Sequence, residues 1–556
     1  MSSQRPHTMP PDQEVEAAMS SVIRRLSRPD SSPPAGGGPG GARNHDVGSV
    51  PPGTLSTPAP GSMVSLRSTS GAALIATTVL ASAVGFFNAS VVYVAIPAIG
   101  RDLNASVATL QWMLTGYLVT VAALLLVAGA LADRFGRKRV LTFGLTVMLA
   151  ASVLCAVAPS AGVLVAARVV QGVGGALVIP SSLALLNGTL TVSDRARGIG
   201  LWAGLATISS TVGPYVGGWL VDAASWRWMF LLNVPLIVGA LLPLSRVPEN
   251  QGRVSRLSLD VTGAALAILG LGGVIYAATD GTAHGWLTAR VLVAAALGLG
   301  CLAALVPVER RVPAPMLRLS LFRSRQFSAI NVTTVLFYGA MAGASYLVVL
   351  QCELQLGYSA AQAGAALIPY SVVFLVMSPI SGALVARVGP RWLMASGIAV
   401  VALGLVWMSQ ARPGSSYLGT ILPAALVWGL GVGLAVTPLT AAVLAAVADT
   451  DLGEAAAVND AASRIGGVVA VAAVPVLIGA VGGLSLDDAV GHGYQTAMLV
   501  TAGVCVAAAV IAGLFVSDDR AGAPRLAPPP PQGCAPPTPV PAGSVPARHV
   551  IGSESS

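Results

Sequence analysis

Gly129-Ala130-Leu131-Ala132-Asp133-Arg134-Phe135-Gly136-Arg137-Lys138-Arg139 is a short charged loop between two long apolar stretches. A part-copy, Gly382-Ala383-Leu384-Val385-Ala386-Arg387-Val388-Gly389-Pro390-Arg391, recurs between two equivalent stretches in the second half of the chain. A polytopic chain whose halves repeat each other loop for loop is built to rock around a central site, as secondary transporters do.

Composition agrees. Of 556 residues, 54% are hydrophobic and 10% charged, against roughly 25% charged in soluble domains. So little charge cannot cover a core of this size in water, so the solvent for most of the surface is lipid. The net charge of +8 forms no single patch. Its basic residues are dealt out a few at a time between apolar runs, a pattern of membrane orientation rather than a nucleic-acid footprint. Cys155, Cys301 and Cys505 fall inside apolar stretches, and no cysteine pair has metal-ligand spacing, so neither a disulfide framework nor a metal is expected. There is no Gly-x-x-x-x-Gly-Lys-Ser/Thr loop and no His-Glu-x-x-His, and Gly172-x-Gly174 follows no strand. The reading is a non-enzyme without cofactor or nucleotide site.

Apolar spans lie near 72–97, 110–132, 140–158, 162–187, 199–221, 228–245, 261–279, 290–307, 327–350, 364–386, 392–409, 417–447, 465–482 and 495–516. A crossing helix needs about 20 such residues, whereas barrel strands alternate apolar and polar over about ten. The expected fold class is an all-α polytopic membrane protein of about fourteen transmembrane helices, arranged six, two and six. Residues 1–70 are polar and rich in Pro, Gly and Ser and read as a disordered segment. Within it, Val15, Met19, Val22 and Leu26 share one face of a short helix over 13–27, suited to rest on anionic lipid. Residues 71–246 form the first six-helix bundle, 247–326 two linking helices with their loops, and 327–516 the second bundle. A disordered Pro-rich tail, 517–556, follows. One set of short loops carries seventeen Lys and Arg, from Arg134 to Arg464, and the alternate set four, Arg101, Arg227, Arg290 and Arg412. The first set and both termini are therefore placed in the cytoplasm of a cell whose plasma membrane holds the protein.

Three further segments stand on particular spans. The fourth carries Leu164-x-x-x-Arg168-x-x-Gln171-Gly172-x-Gly174-Gly175 and the fifth Gly213-Pro214-Tyr215-Val216-Gly217-Gly218. The sixth is entered through Ser225-Trp226-Arg227-Trp228-Met229-Phe230-Leu231-Leu232-Asn233-Val234-Pro235. With the 129–139 loop these resemble the major facilitator superfamily, specifically its fourteen-helix drug:proton antiporter branch, over roughly residues 71–516. The resemblance implies a loop that latches one end of the bundle through Gly129, Asp133, Arg134, Gly136 and Arg137, with Arg387 and Arg391 in the copy. There Ala386 takes the acid's place, which predicts a weaker second latch. A plainer reading is that these cations only set topology. From the residues themselves, Gly129 is expected to admit a neighbouring helix and Gly136 a tight turn. Arg168 is a charge well inside a span, costly and by default functional; the resemblance ties it to proton movement. The resemblance also implies export through Gly213, Pro214, Gly217 and Gly218, because the family's exporters carry this segment on the fifth helix; read by themselves, the residues give a proline kink and close small-residue packing.

The chain departs from the branch on the first span. Where the branch shows an Asp followed by Thr two residues on, this chain reads Asn88-Ala89-Ser90, and an amide carries no proton near neutral pH. From the spans above, no Asp, Glu or His falls mid-span, and the carboxylates near membrane depth sit at span ends, at Asp222, Asp260, Asp280 and Glu353. Asp222, Asp280 and Glu353 are the candidates for coupling. Asn88, Tyr117, Arg168, Gln171, Asn331, Tyr338 and Tyr370 are the candidates for a central cavity. The expectation is a monomeric exporter of small amphipathic organic compounds in exchange for protons, with lipid but no nucleic acid as partner. Asn88 keeps a facilitator or importer without proton coupling open. A non-transporting binding or scaffold protein is the third reading, against which the two latch copies stand.

Overall fold

A computed structural model describes residues 63–248, 260–312, 315, 319–448, 451–480 and 485–518. The 13–27 helix reading, Arg253, Arg256, Arg318 and the tail beyond 518 lie outside the described residues, as do the side chains of Asp133 and Ala386.

The described residues form fourteen long helices. The first half contains α1 Thr69–Asp102, α2 Val107–Phe135, α3 Arg137–Ala156, α4 Ala161–Thr189, α5 Val192–Ala223 and α6 Arg227–Leu244. Then come the linking helices α7 Val261–His284 and α8 Ala289–Glu309. The second half contains α9 Arg325–Gln355, α10 Ala360–Val385, α11 Pro390–Met408, α12 Tyr417–Ala445, α13 Leu452–Leu477 and α14 Leu486–Phe515. Thirteen are long and apolar enough to cross a bilayer; the remaining one, α5, is 32 residues long and carries Asp194, Arg195 and Arg197 in its first turns. Continuous helix is what lipid demands, because each backbone N–H must find its partner within the span.

The repeat seen in the loops extends to the packing. Within the first half α2 and α3 pack on α4, and α5 and α6 on α1; within the second α10 and α11 pack on α12, and α13 and α14 on α9. The halves meet along α5–α10 and α2–α13, which are equivalent pairs under the same exchange. Matched glycines hold matched seams. A Cβ on Gly174 of α4 would crowd the Gly144 carbonyl of α3 at 2.9 Å, and one on Gly431 of α12 the Gly397 carbonyl of α11 at 2.7 Å. Gly136 and its counterpart Gly389 turn the two charged loops with φ of +98° and +84°, a backbone conformation that glycine enters without penalty.

Helix α1 changes winding midway, with a 3-10 turn at Val91–Ala95. The cause is local. Val91, Val92 and Val94 are stiff β-branched residues, and Pro97 removes an N–H just beyond them.

Three expectations need correction. The thirteenth helix begins at Leu452, not near 465, so Asp460 and Arg464 are helical residues within the bundle. Asp460 is a carboxylate inside a spanning helix, contrary to the expectation that none is, and Arg464 is not a loop cation. Without it the loop count is seventeen less one, sixteen against four, and the asymmetry stands. The lead-in to α1 is not wholly without structure either. Val64 pairs with the main chain of Thr189 and Thr191. Asp194 accepts the Leu66 N–H and the Ser65 hydroxyl at 2.9 and 3.0 Å, and those bonds hold its carboxyl below the usual carboxylate range. Lastly, a Cβ on Gly129 would meet nothing within 4 Å, so that glycine is not a packing contact.

Candidate functional site

A cavity of about 1040 Å³ lies between the two halves. Its lining reaches Gly129, Asn187, Leu444 and Ala456, near the helix ends that join the arginine-rich loops. At the opposite end it stops at a seam between α5 and α10. There a Cβ on Gly218 would overlap the Ala360 carbonyl, and one on Gly364 the Pro214 carbonyl. Asp222 bolts the seam by accepting the N–H groups of Ala360 and Ala361 at 3.2 and 2.8 Å. Tyr93 of α1 stacks on Tyr346 of α9, ring centroids 5.3 Å apart, to floor the cavity. The protein is therefore open at the arginine-loop end and shut at the other. Gly218→Val should prise the seam apart. Spin labels at Ala223 and Gln362 would then report a longer separation, and an unchanged distance distribution would show that the seam tolerates the methyls.

The cavity walls are mostly apolar and aromatic, with Phe86, Tyr338 and Tyr370 prominent. Their charge comes from α13. Asp460 and Arg464, one turn apart, form an ion pair at 3.5 Å, with the acid 44% exposed and the guanidinium 16%. The guanidinium carbon lies 5.7 Å from the centre of the Phe86 ring. A half-wet pair of this kind is worth about 0–1 kcal/mol. Asp460 is thus lightly held and faces the cavity. Neighbouring Asn459 donates to Thr334 at 2.7 Å, tying α13 to α9.

Arg168 sits behind the cavity wall, 1% exposed. Its Nη1 donates to Gln171 at 2.6 Å and its Nε to the Met113 carbonyl at 3.2 Å, while the carbonyl of Asn88 accepts a longer bond at 3.4 Å. The guanidinium lies 4.3 Å over the Tyr117 ring. Gln171 passes the chain of bonds to Ser152 at 2.8 Å, and Asn233 also reaches Ser152 at 3.2 Å. Asn233 and Asn88 exchange a reciprocal pair of amide bonds at 3.0 and 3.1 Å. Five helices, α1, α2, α3, α4 and α6, are stitched by this dry network. Its single charge is solvated by neutral dipoles and one π-face, and among the described residues no carboxylate touches it.

The sequence candidates therefore separate. Tyr338 and Tyr370 line the cavity. Asn88, Tyr117, Arg168 and Gln171 do not; they belong to the buried network. Asn331 lines a second, apolar groove instead. Of the coupling candidates, Asp222 bolts the closed seam, and Asp280 pairs with Arg290 at 3.8 Å between the linking helices. Glu353 lies on a π-helical turn, Gln351–Gln355, with Oε1 buried and without a hydrogen bond. None of the three lines the cavity. Asp460 and Arg464 in the cavity, and Ser152 and Asn233 in the network, are not among the sequence candidates. Asn233 had a signal, an amide at the start of a span and part of a quoted segment.

In the latch segment, Arg137 donates to the Ala184 carbonyl at 2.9 Å and Lys138 to the Val247 carbonyl at 2.6 Å. Both partners are in the same half as the loop, as suits a bundle open at this end. In the copy, Arg391 donates to the Gly513 carbonyl of α14 at 2.7 Å. Of the fifth-helix glycines, Gly213 would crowd Phe87 and Gly217 would overlap Val91, both on α1. Pro214 lines the cavity.

The chain matches the family model described as Major Facilitator Superfamily over residues 78–350 and 330–551. It is 33% identical over 412 residues to the multidrug resistance protein Stp of Mycobacterium tuberculosis, covering 72% of this chain and 76% of that one. It is 34% identical to the methylenomycin A resistance protein of Streptomyces coelicolor, covering 72% and 85%. A cephamycin export protein of Amycolatopsis lactamdurans is 34% identical, covering 71% and 82%. In fold, it is similar to a peptide transporter solved in complex with alafosfalin, with a TM-score of 0.59 at 15% identity over 80% of this chain and 95% of that one.

Proposed function

We propose, from the premise that this chain belongs to the Major Facilitator Superfamily, that it expels basic amphipathic compounds in exchange for protons, with Asp460 as the shared site. The chain is a multi-pass membrane transporter of the superfamily's drug-efflux branch. The finer reading rests on one observation: the cavity that opens at the arginine-loop end holds a lightly paired carboxylate within reach of its contents.

By the positive-inside rule that end faces the cytoplasm, with both termini, in the plasma membrane. Substrate then enters from inside. Its apolar body lies against Phe86, Tyr338 and Tyr370, and its basic nitrogen replaces Arg464 at Asp460. Rocking of the halves, with the α5–α10 seam parting and the 129–139 loop closing on the second half, exposes the load outside. A proton taken up there by Asp460 displaces the cation and returns inward. Because proton and substrate compete for one carboxylate, the two are not carried together in the same direction. Arg168 and its network hold the first half as one body during that motion. A monomer contains every element this cycle needs.

Asn88 favours one alternative, a facilitator without protons. The test is export from proteoliposomes of defined orientation under an imposed pH gradient. Uphill movement of a cationic dye driven by protons entering from the outer face supports the antiporter. Movement only down the dye's own gradient leaves the facilitator.

A further inference from the structure

A second cavity, of about 410 Å³, opens between α7, α8 and the bundle. Its walls are apolar, with Leu271, Leu302, Leu305, Val332 and Ile465 among them. The polar side chains at its edge are already committed: Ser328 donates to the Phe322 carbonyl at 2.9 Å, and Asn331 to that of Phe327 at 2.8 Å. Water needs two to four polar partners in such a space, and none is on offer. The volume lies in the range of small-ligand pockets, about 300–1,000 Å³, and the walls accept only hydrocarbon.

The mouth has the opposite chemistry. Arg325, at the start of α9, lies on the stripe that continues through Ser328, Val332 and Val335, in steps of three, four and three. Phe322 lines the groove and is followed by Arg323. Arg310 and Arg311 end α8 beyond Leu302 and Leu305. All four are exposed, and none forms an ion pair among the described residues. The acid beside them, Glu309, is 3% exposed and lies against Gly263 of α7. An apolar slot between spanning helices, with exposed arginines at the adjoining helix ends, fits one occupant chemistry, a phospholipid with an anionic head.

We infer that the groove between the linking helices and the bundle is a binding site for an anionic phospholipid, its phosphate on Arg323 and Arg325 and one acyl chain between α8, α9 and α13. Helix α13 is a shared partition. Val458, Ala461, Ala462 and Ile465 face the lipid, while Asn459, Asp460, Ser463 and Arg464 face the central cavity. The lipid therefore braces the helix that carries Asp460. The assignment rests on the membrane setting and not on proton exchange, so either can fail alone.

Native mass spectrometry of the purified full-length protein, titrated in detergent with phosphatidylglycerol or phosphatidylcholine, tests it. One phosphatidylglycerol should be retained in preference to phosphatidylcholine. Arg323→Gln with Arg325→Gln should erase the preference, weakening phosphatidylglycerol about thirtyfold for two surface arginines. Val332→Trp, which fills the slot, should release the retained lipid while the arginines remain. Both variants change exposed positions, and their size-exclusion profiles should match the parent. Equal retention of the two lipids by the parent, or undiminished retention by both variants, would overturn the site. So would a slot that holds an alkyl-chained dye in place of phospholipid.

Discussion

Asp460→Asn is expected to leave the protein folded and to collapse proton-driven accumulation to nothing. Across one pH unit each proton exchanged is worth about 1.4 kcal/mol, a factor of ten. The parent exchanging one for one should therefore sustain a substrate ratio of about ten under that gradient. The variant should sustain none, while still letting substrate run downhill. The amide keeps the shape and loses the proton, so the loss isolates titration from packing. Asp460→Glu should keep a measurable share, because its carboxyl still reaches the cavity. The measurement is the steady-state dye ratio in proteoliposomes with the pH step imposed and the membrane potential clamped. If Asp460→Asn holds the parent's ratio, the carrier is elsewhere, and Glu353 is the next carboxylate to neutralise.

Arg168 should give the second large effect, on both stability and turnover. Removing its side chain in Arg168→Ala strands Gln171 Oε1 in a dry interior and takes a side-chain donor from the Met113 and Asn88 carbonyls. The orphaned Gln171 Oε1 costs about 1–3 kcal/mol, and the contact with the Tyr117 face is lost as well. Lower thermal stability of the purified protein and near-complete loss of efflux are expected together. Arg168→Lys should rescue stability in part and turnover poorly. A compact ammonium cannot meet three acceptors and a ring face set out for a planar fork. Thermal unfolding in detergent beside vesicle efflux separates the two readouts. A variant Arg168→Ala as stable and as fast as the parent would remove the network from any role in the first half.

Most of the architecture is legible in the sequence because lipid imposes a crude rule, a long apolar run for each crossing, and thirteen helices pass by that rule alone. The turn at Gly136 is equally plain, and the structure adds Gly389, at the same place in the copied loop, as its counterpart. The site was legible only in part. Averaging hydropathy along a helix says nothing of which face points where. Asn88, Tyr117 and Gln171 are polar groups on the right helices, but they face neighbouring helices rather than the cavity. The α13 error has the same root. Its first turns face a wet cavity and so carry Asn459, Asp460, Ser463 and Arg464, which a sliding average takes for a loop. Asn233 and Ser152 were overlooked because a lone amide or hydroxyl in a span carries no meaning until its partner, in these cases on another helix, is known.

The seam of Gly218 and Gly364 has a consequence for how such a pump changes over generations. The closure is made largely of main chain meeting main chain, fastened by one carboxylate and one stack of rings. The cavity, by contrast, is lined chiefly by side chains. Substitutions that reshape the pocket for a new compound leave that main-chain contact in place wherever they avoid Tyr93, Pro214 and Gly364, which belong to both surfaces.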